Sequence, residues 1–218
     1  MIMSPIVALI KKDITIEWRQ RYAINGILLH AISSTIVVFL SVKMLNAPTW
    51  NAIYWIVLLF SSVSAVAKSF VAESSGRQLY YYGIVSAQHL IISKLIYNAI
   101  LTVLLALLCL GTYSLFLGFP VGNALYFIIT IALGGIGFSS TFTLISSIAA
   151  KSGNGNLLMP VLSFPVIIPL LLVAIKAAKK AVDDLDPSLM TKDLLVLLAI
   201  NALIVTLAYL LFPFLWRD

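Results

Sequence analysis

The turn-forming sequence Gly118-Phe119-Pro120-Val121-Gly122-Asn123 lies near the middle of residues 95–150, a run of 56 positions without Asp, Glu, Lys or Arg. As a single helix this run would be roughly 84 Å long at ~1.5 Å per residue, whereas the hydrocarbon core of a bilayer is only ~30 Å thick. Glycine, proline and asparagine favour a turn, so the run is predicted to form two membrane-spanning helices joined by a tight hairpin.

Four more stretches without these charged residues surround this hairpin, at 23–42, 44–67, 152–175 and 194–216. Each is long enough for one membrane-spanning helix. The chain is 61% hydrophobic and only 10% charged, which is far from the composition of a soluble domain. We therefore predict an all-α integral membrane protein in which residues 1–218 form one transmembrane permease domain. Its six spans are expected near residues 23–45, 51–68, 93–117, 123–149, 157–176 and 193–215.

The distribution of lysine and arginine predicts the orientation. If both termini lie on one side, six spans place nine of the 14 basic residues on that side and five on the other. Short loops rich in Lys and Arg stay in the cytoplasm, so both termini are predicted to be cytoplasmic. The basic residues are scattered among the helix ends, which argues against a nucleic-acid-binding surface.

Residues 1–22 are predicted to form an amphipathic helix in the membrane interface. Ser4 and Pro5 suit an N-cap and the first helical position. An apolar side chain then recurs every four residues, with basic residues opposite, at Ile6, Ile10, Ile14 and Trp18. Glu17 and Arg21 are spaced for an ion pair. The alternative is a charged flank that only orients the first span.

Residues 68–94 are predicted to form a cytoplasmic loop that couples the chain to a partner protein. Charged side chains four residues apart suit the exposed end of a helix, a glycine permits close approach, and tyrosines are enriched at protein interfaces. Ser86 is a favourable N-cap for a helix leading into the third span. The tyrosines could equally form an aromatic belt at the headgroups. The candidate coupling residues are Glu73, Gly76, Arg77, Tyr80, Tyr81, Ser86, His89 and Lys94.

The fourth and fifth predicted spans carry residues that favour close packing or a broken backbone. Small residues let helices approach closely in lipid, and prolines free carbonyl groups that neighbours or water must satisfy. The fifth span would then line a cavity or a moving contact, or be a statically kinked packing helix. The residues concerned are Gly134, Gly135, Gly137, Pro160, Pro165 and Pro169.

Residues 176–193 are predicted to form an extracytoplasmic loop of mixed charge. Lys179 and Asp183 are spaced for an attractive pair, and Ala177, Ala178, Ala181 and Val182 are compatible with a short helix lying on the outer surface. Pro187 is expected to stop any helix. Such a mixed-charge segment suits a protein partner better than a membrane span, and we expect it to contact one.

Several kinds of chemistry have no candidate residues in this chain. No ionisable group lies at the centre of a predicted span, which disfavours a proton- or ion-coupled transporter. The sequence has no phosphate-binding G-x-x-x-x-G-K-[ST] motif and no metal-binding H-E-x-x-H motif. No catalytic, cofactor-binding or metal-binding residue is therefore predicted, and the chain is either driven by a partner or passive.

The chain resembles the CcmB family, the haem exporter protein B subunits of the cytochrome c maturation system. The resemblance covers nearly the whole length. It is carried by residues 61–70 leading into Glu73-x-x-Gly76, by residues 79–94, by Leu133-Gly134-Gly135-Ile136-Gly137-Phe138, and by Met159-Pro160 through Ile168-Pro169-Leu170.

This resemblance implies a non-catalytic, multi-pass subunit of an ABC transporter in the bacterial cytoplasmic (inner) membrane, with ABC-2-type exporter permease architecture. It would couple ATP hydrolysis by a partner to movement of the haem-handling complex. The implied partners are a CcmA-like ATPase, a CcmC-like haem-handling membrane protein, a CcmD-like small membrane protein and a CcmE-like haem chaperone, besides the lipid bilayer. No cofactor is expected to bind directly: ATP acts through the ATPase, and haem is handled by the complex.

Two alternatives remain open from the sequence. One is a non-transporting scaffold that anchors the ATPase and the haem subunits. The other is an ABC-2-type exporter permease for a different substrate, such as a lipid, a glycan or a drug.

Overall fold

The computed structural model describes residues 5–19, 21–42, 45–66, 70, 85–151 and 155–217. Within these ranges the secondary structure is helical. The elements in chain order are α1 (Pro5–Arg19), α2 (Arg21–Ser41), α3 (Ala47–Val66), α4 (Ala87–Leu117), α5 (Ala124–Lys151), α6 (Gly155–Val182) and α7 (Pro187–Arg217).

Five of the described helices are long and apolar enough to cross a membrane. They are α3, α4, α5, residues Val161–Val182 of α6 and residues Pro187–Trp216 of α7, whereas α2 contributes the shorter apolar part Leu28–Ser41. A helix satisfies its own backbone hydrogen bonds, which is what a lipid environment demands of a spanning segment. The prediction of an all-α membrane protein is therefore confirmed.

The hairpin predicted at residues 118–123 is present. Helix α4 ends at Leu117, and Gly118 follows with φ of 76°, a backbone conformation that suits glycine. Helix α5 starts at Ala124, where the Asn123 side chain accepts a hydrogen bond from the Tyr126 backbone N–H at 3.3 Å. The turn is also attached to the end of α6, because the Asn123 N–H donates to the Ala181 carbonyl at 2.8 Å.

Helix α5 lies at the centre of the bundle and packs against α3, α4, α6 and α7. We call the two ends of the bundle the Trp50 end and the Phe70 end. At the Trp50 end the hairpin meets the start of α3 and the end of α6. At the Phe70 end, Phe70 packs in one apolar cluster with Leu9 of α1, the start of α4, and the last turns of α5 and α7. The ends of the chain's described part thus meet at the same end of the bundle.

The prediction that residues 176–193 form a long loop is wrong, whereas their extracytoplasmic side stays a prediction. Helix α6 continues to Val182, α7 begins at Pro187, and only residues 183–186 connect them. The alanines predicted to lie on the outer surface, Ala177, Ala178 and Ala181, are buried in the main apolar core. They extend the apolar face of α6 by nearly two turns, so burying them favours a continued helix over a separate one.

The position of Pro187 and an ion pair of Lys180 explain why residues 176–193 form two helix ends and a short turn. Proline has no N–H to donate, and the first turn of a helix does not need that N–H, so Pro187 begins α7 rather than ending a helix. The Lys180 ammonium lies 2.7 Å from the Asp193 carboxylate, an ion pair across the turn that replaces the predicted pairing of Lys179 with Asp183. Lys176 is also within 3.8 Å of Asp193.

Candidate functional site

The structure describes only part of the predicted coupling loop. Residues 71–84 lie outside the described ranges, so the assignments of Glu73, Gly76, Arg77, Tyr80 and Tyr81 stay predictions. The two ends of the loop are described: Phe70 stands where it begins, and Ser86, His89 and Lys94 lie where it returns.

Ser86 caps α4, as its sequence context predicted. Its Oγ accepts a hydrogen bond from the His89 backbone N–H at 3.4 Å and lies 2.8 Å from His89 Nδ1. Helix α4 therefore starts at Ala87, directly after the predicted cap, and the last part of the predicted loop, residues 87–94, is helical. Leu90 and Ile91 are fully buried at this point, and their packing stabilises the first turns of the helix. Ser86 and His89 are exposed and can meet a partner.

Lys94 lies in the interior, not on the surface where the sequence suggested it. Only 5% of the residue is exposed, and its Nζ lies 3.3 Å from Asp13 Oδ1 on α1. Lys12 Nζ is 3.0 Å from the same carboxylate oxygen. Helix α4 puts Lys94 on a face that packs against α1, so its ammonium meets an acidic side chain of this chain.

A second contact joins α1 and α4 one turn further along. The Tyr97 hydroxyl donates a hydrogen bond to the Glu17 carboxylate at 2.7 Å. Glu17 was expected to pair with Arg21, whose side chain lies outside the described part of the structure. Asp13 and Glu17 are four residues apart on α1, and Lys94 and Tyr97 are three apart on α4, so each pair lies on one helix face. We call these four residues the α1–α4 clamp.

The N-terminal helix predicted from the sequence is present as α1, whereas its position in the membrane interface stays a prediction. Leu9 and Asp13 are the buried residues of α1. Ile14 and Trp18 are exposed, Trp18 at 71%. Apolar periodicity did not predict that Asp13, an acidic residue one helical turn after Leu9, faces inward, because acidic side chains are mostly exposed.

Phe70 joins the start of the coupling loop to three helices. Its backbone N–H donates to Ser146 Oγ on α5 at 3.2 Å. Its ring centroid lies 5.3 Å from that of Phe212 on α7, which in turn stacks on Trp216. The Lys94 ammonium of α4 lies 5.7 Å from the Phe70 ring centroid, within range of a cation–π interaction. The point where the loop begins is therefore attached to α4, α5 and α7.

The glycines of α5 stand where other helices approach closely. A methyl group at Gly134 would lie 2.5 Å from the Trp55 ring, and one at Gly137 would lie 2.6 Å from Leu170 and 2.7 Å from the Asn201 side-chain oxygen. Gly135 has more room, with Thr102 at 3.7 Å. These distances describe tight contacts of α5 with α3, α6 and α7.

Pro165 and Pro169 of α6 do not face the core. Pro165 and Pro169 are exposed, and Pro160 lies within the same continuous helix, although its side chain is outside the described part. Within this chain, Pro165 and Pro169 therefore do not line an internal cavity. A moving contact and a statically kinked packing helix both stay predictions for α6. The buried residues on this stretch are Ser163, Ile167 and Leu170, which face the neighbouring helices. A helix with its proline rings turned outward keeps bulky, donor-free positions away from the packed interface.

Three buried asparagines connect helices within the apolar interior. Asn98 on α4 donates to Thr143 Oγ1 on α5 at 2.8 Å. Asn51 on α3 donates to the Ile175 carbonyl on α6, and Asn201 on α7 donates to the Leu133 carbonyl on α5, both at 3.0 Å. In lipid such polar contacts supply specificity that apolar packing lacks. Among the described residues, no group of three His, Cys, Asp or Glu side chains is placed to hold a metal ion.

Comparison with known proteins identifies the family. The family model described as CcmB protein matches residues 4–214, almost the whole chain. No curated protein sequence matches significantly. The matched range includes both ends of the coupling loop, the α1–α4 clamp and the glycine-rich part of α5. The chain belongs to the CcmB family, whose members are membrane components of the haem exporter for cytochrome c maturation.

Proposed function

We propose that this chain is the permease subunit that couples ATP hydrolysis by a CcmA-like ATPase to movement of the haem-handling complex. The supporting observation is the attachment of the coupling loop at both of its ends. Phe70 contacts α4, α5 and α7, and Ser86 caps α4 directly. A partner that displaces the loop would therefore pull on three membrane helices at once.

The proposed topology has six spans with both termini in the cytoplasm. Helix α2 supplies the sixth span, although its described apolar part is the shortest. Leu9 of α1 and Trp216 of α7 belong to the same apolar cluster, and an even number of crossings is what brings the two ends of a chain to one side. The Phe70 end then faces the cytoplasm, where an ATPase can reach the exposed Ser86 and His89. This arrangement agrees with the excess of basic residues predicted on that side.

We infer the remaining partners from family membership. A CcmC-like membrane protein, a CcmD-like small membrane protein and a CcmE-like chaperone handle the haem in this proposal, and ATP is bound by the ATPase. This chain supplies movement and contact surfaces, within an ABC-2-type arrangement of helices. At the Trp50 end, this chain presents a short turn at residues 183–186 to a partner, rather than a long loop.

A substitution in the coupling loop tests the proposal. Gly76→Leu should leave membrane insertion and ATP hydrolysis by the assembled complex intact and strongly reduce cytochrome c maturation, because the larger side chain blocks close approach of the ATPase. Gly111→Leu is the matched control, since nothing lies within 4 Å of a methyl group placed there. Wild-type maturation with Gly76→Leu would remove the loop from the coupling mechanism.

A second experiment separates coupling from the scaffold alternative. An ATPase variant that binds nucleotide but does not hydrolyse it should assemble with this chain and fail to support maturation. A pure scaffold needs assembly alone, so maturation that continues with this variant would favour the scaffold. An exporter of a lipid, glycan or drug would instead leave maturation intact when the gene for this chain is deleted.

A further inference from the structure

We propose that Asp13 and Lys94 are positioning residues of the coupling site, and that they hold α1, the start of the coupling loop and α4 together as one moving unit. The expected effect on cytochrome c maturation rests on the proposed function, whereas the contacts that join the three parts are those of the structure. Lys94 has the Asp13 carboxylate at 3.3 Å and the Phe70 ring centroid at 5.7 Å. One ammonium group on α4 thus contacts both α1 and the residue where the loop begins.

The buried ion pair between Asp13 and Lys94 defines the register between α1 and α4. Asp13 and Lys94 are both more than nine-tenths buried. Apolar side chains of similar volume often stabilise such a site as well as an ion pair does, because two charges must be desolvated. What apolar contacts do not supply is a defined register between two helices. The ion pair, together with the hydrogen bond from Tyr97 to Glu17 at 2.7 Å, aligns α1 on α4 at two points one turn apart.

The surrounding charges predict an asymmetry between the two partners. Asp13 accepts from both Lys12 and Lys94, at 3.0 and 3.3 Å. Lys94→Met removes one cation and leaves the Lys12–Asp13 pair in place. That pair lies within α1 and does not join the two helices, but it balances the charge of the buried carboxylate. Asp13→Asn removes the carboxylate that both lysines contact, so the ammonium groups of Lys12 on α1 and Lys94 on α4 repel each other across the interface. The clamp should therefore loosen more in Asp13→Asn than in Lys94→Met, and Lys94→Arg should preserve it because arginine keeps the charge and also interacts with an aromatic face.

Cross-linking measures the clamp without reference to transport. Cysteines replace Glu17 and Tyr97 in a Cys109→Ala background of the full chain, assembled with its partners in native membranes, and a short bis-maleimide joins them. Because the cysteines replace the Glu17–Tyr97 hydrogen bond, the Asp13–Lys94 ion pair is the polar contact of the clamp that remains. We expect the initial rate of cross-linking to fall at least about tenfold in Asp13→Asn, to fall less in Lys94→Met, and to stay at the reference level in Lys94→Arg. Lys11→Met, which removes an exposed charge from α1, is the control.

Maturation supplies the second readout, in chains that retain Glu17 and Tyr97. Asp13→Asn and Lys94→Met should reduce cytochrome c maturation per inserted chain while the ATPase continues to hydrolyse ATP, and Lys94→Arg should restore maturation. Cross-linking is scored as a fraction of inserted protein, so a poorly accumulating variant still gives a result. Unchanged cross-linking in Asp13→Asn, or normal maturation in both neutral variants, would overturn the clamp as a positioning device. If the wild-type complex supported maturation without ATP hydrolysis, the proposed function would be wrong. The cross-linking rates would still show whether Asp13 and Lys94 hold α1 against α4.

Discussion

The indole N–H of Trp50 donates a hydrogen bond to the Gly118 carbonyl at 3.1 Å and so joins the start of α3 to the end of α4. Trp50 is fully buried, and its ring centroid lies 5.0 Å from that of Tyr113 and 5.8 Å from that of Phe127. The Tyr113 hydroxyl returns a hydrogen bond to the Trp50 carbonyl at 3.1 Å. The hairpin is thus held by an aromatic cluster whose polar atoms are satisfied within the bundle.

Substitutions at Trp50 should separate packing from hydrogen bonding. Trp50→Phe keeps an aromatic ring and leaves the Gly118 carbonyl without its donor, so we expect the free energy of unfolding to fall by about 1–2 kcal/mol. Trp50→Ala also creates a cavity and should lower it by about 3–5 kcal/mol. The measurement is unfolding of the purified protein in detergent mixed with sodium dodecyl sulfate. Trp18→Ala is the control, because Trp18 is exposed; an equal loss there would contradict this interpretation.

Alanine substitutions in α5 should follow the space around each glycine. At Gly137 a methyl group meets Leu170 and Asn201, so Gly137→Ala should destabilise the fold by about 1–3 kcal/mol. Gly111 on α4 has nothing within 4 Å, and Gly111→Ala should be neutral or stabilise the protein by up to about 1 kcal/mol through helix propensity. Thermal denaturation in one detergent compares the two variants. Equal melting temperatures would mean that α5 and its neighbours adjust freely.

The contact between Asn98 and Thr143 should couple α4 to α5 modestly. A double-mutant cycle with Asn98→Leu and Thr143→Val should give an interaction energy of about 0.6 kcal/mol, and not more than about 1.7 kcal/mol, because polar contacts in membranes are partly replaced in the unfolded state. The same unfolding assay supplies the four free energies. Additive effects of the two substitutions would show that the hydrogen bond contributes nothing to helix association.

Thiol labelling tests the proposed orientation. Ser188 near the start of α7 and Lys11 on α1 are both exposed, and they lie at opposite ends of the bundle. In a Cys109→Ala background, Ser188→Cys should react with a membrane-impermeant maleimide added outside intact cells. Lys11→Cys should react only after the cytoplasmic face is opened. The reverse pattern would invert the topology and carry the Phe70 end, with its proposed ATPase contact, to the wrong side.

Local patterns predicted those features that depend on neighbouring residues in the chain. Ser86 was identified as the N-cap of a helix, and its side chain does accept the His89 N–H. The start of α1 at Pro5 and the hairpin at residues 118–123 also followed from short sequence signals. The same signals misjudged Pro187, because a proline ends one helix and begins another with equal ease, and only the packing of Ala177, Ala178 and Ala181 decides which.

The candidate site was harder to predict than the fold. Lys94 and Asp13 are separated by 81 positions, and Phe70 and Ser146 by 76. No periodicity in the sequence relates residues so far apart. Lys94 was predicted to be a coupling residue because it ends the predicted cytoplasmic loop at residues 68–94, but its burial and its carboxylate partner depend on how α1 lies against α4.

By itself, the sequence determined that this protein is a bundle of membrane helices and where its central hairpin turns. The physical reason is that a bilayer imposes a length on apolar segments and requires every backbone polar group to be satisfied within the segment. Only the tertiary structure decided which side chains face one another: Asp13 with Lys94, Trp50 with Gly118, and Phe70 with three helices. In lipid, apolar surfaces have no strong preference for one another, so register depends on close packing and a few buried polar contacts between distant parts of the chain.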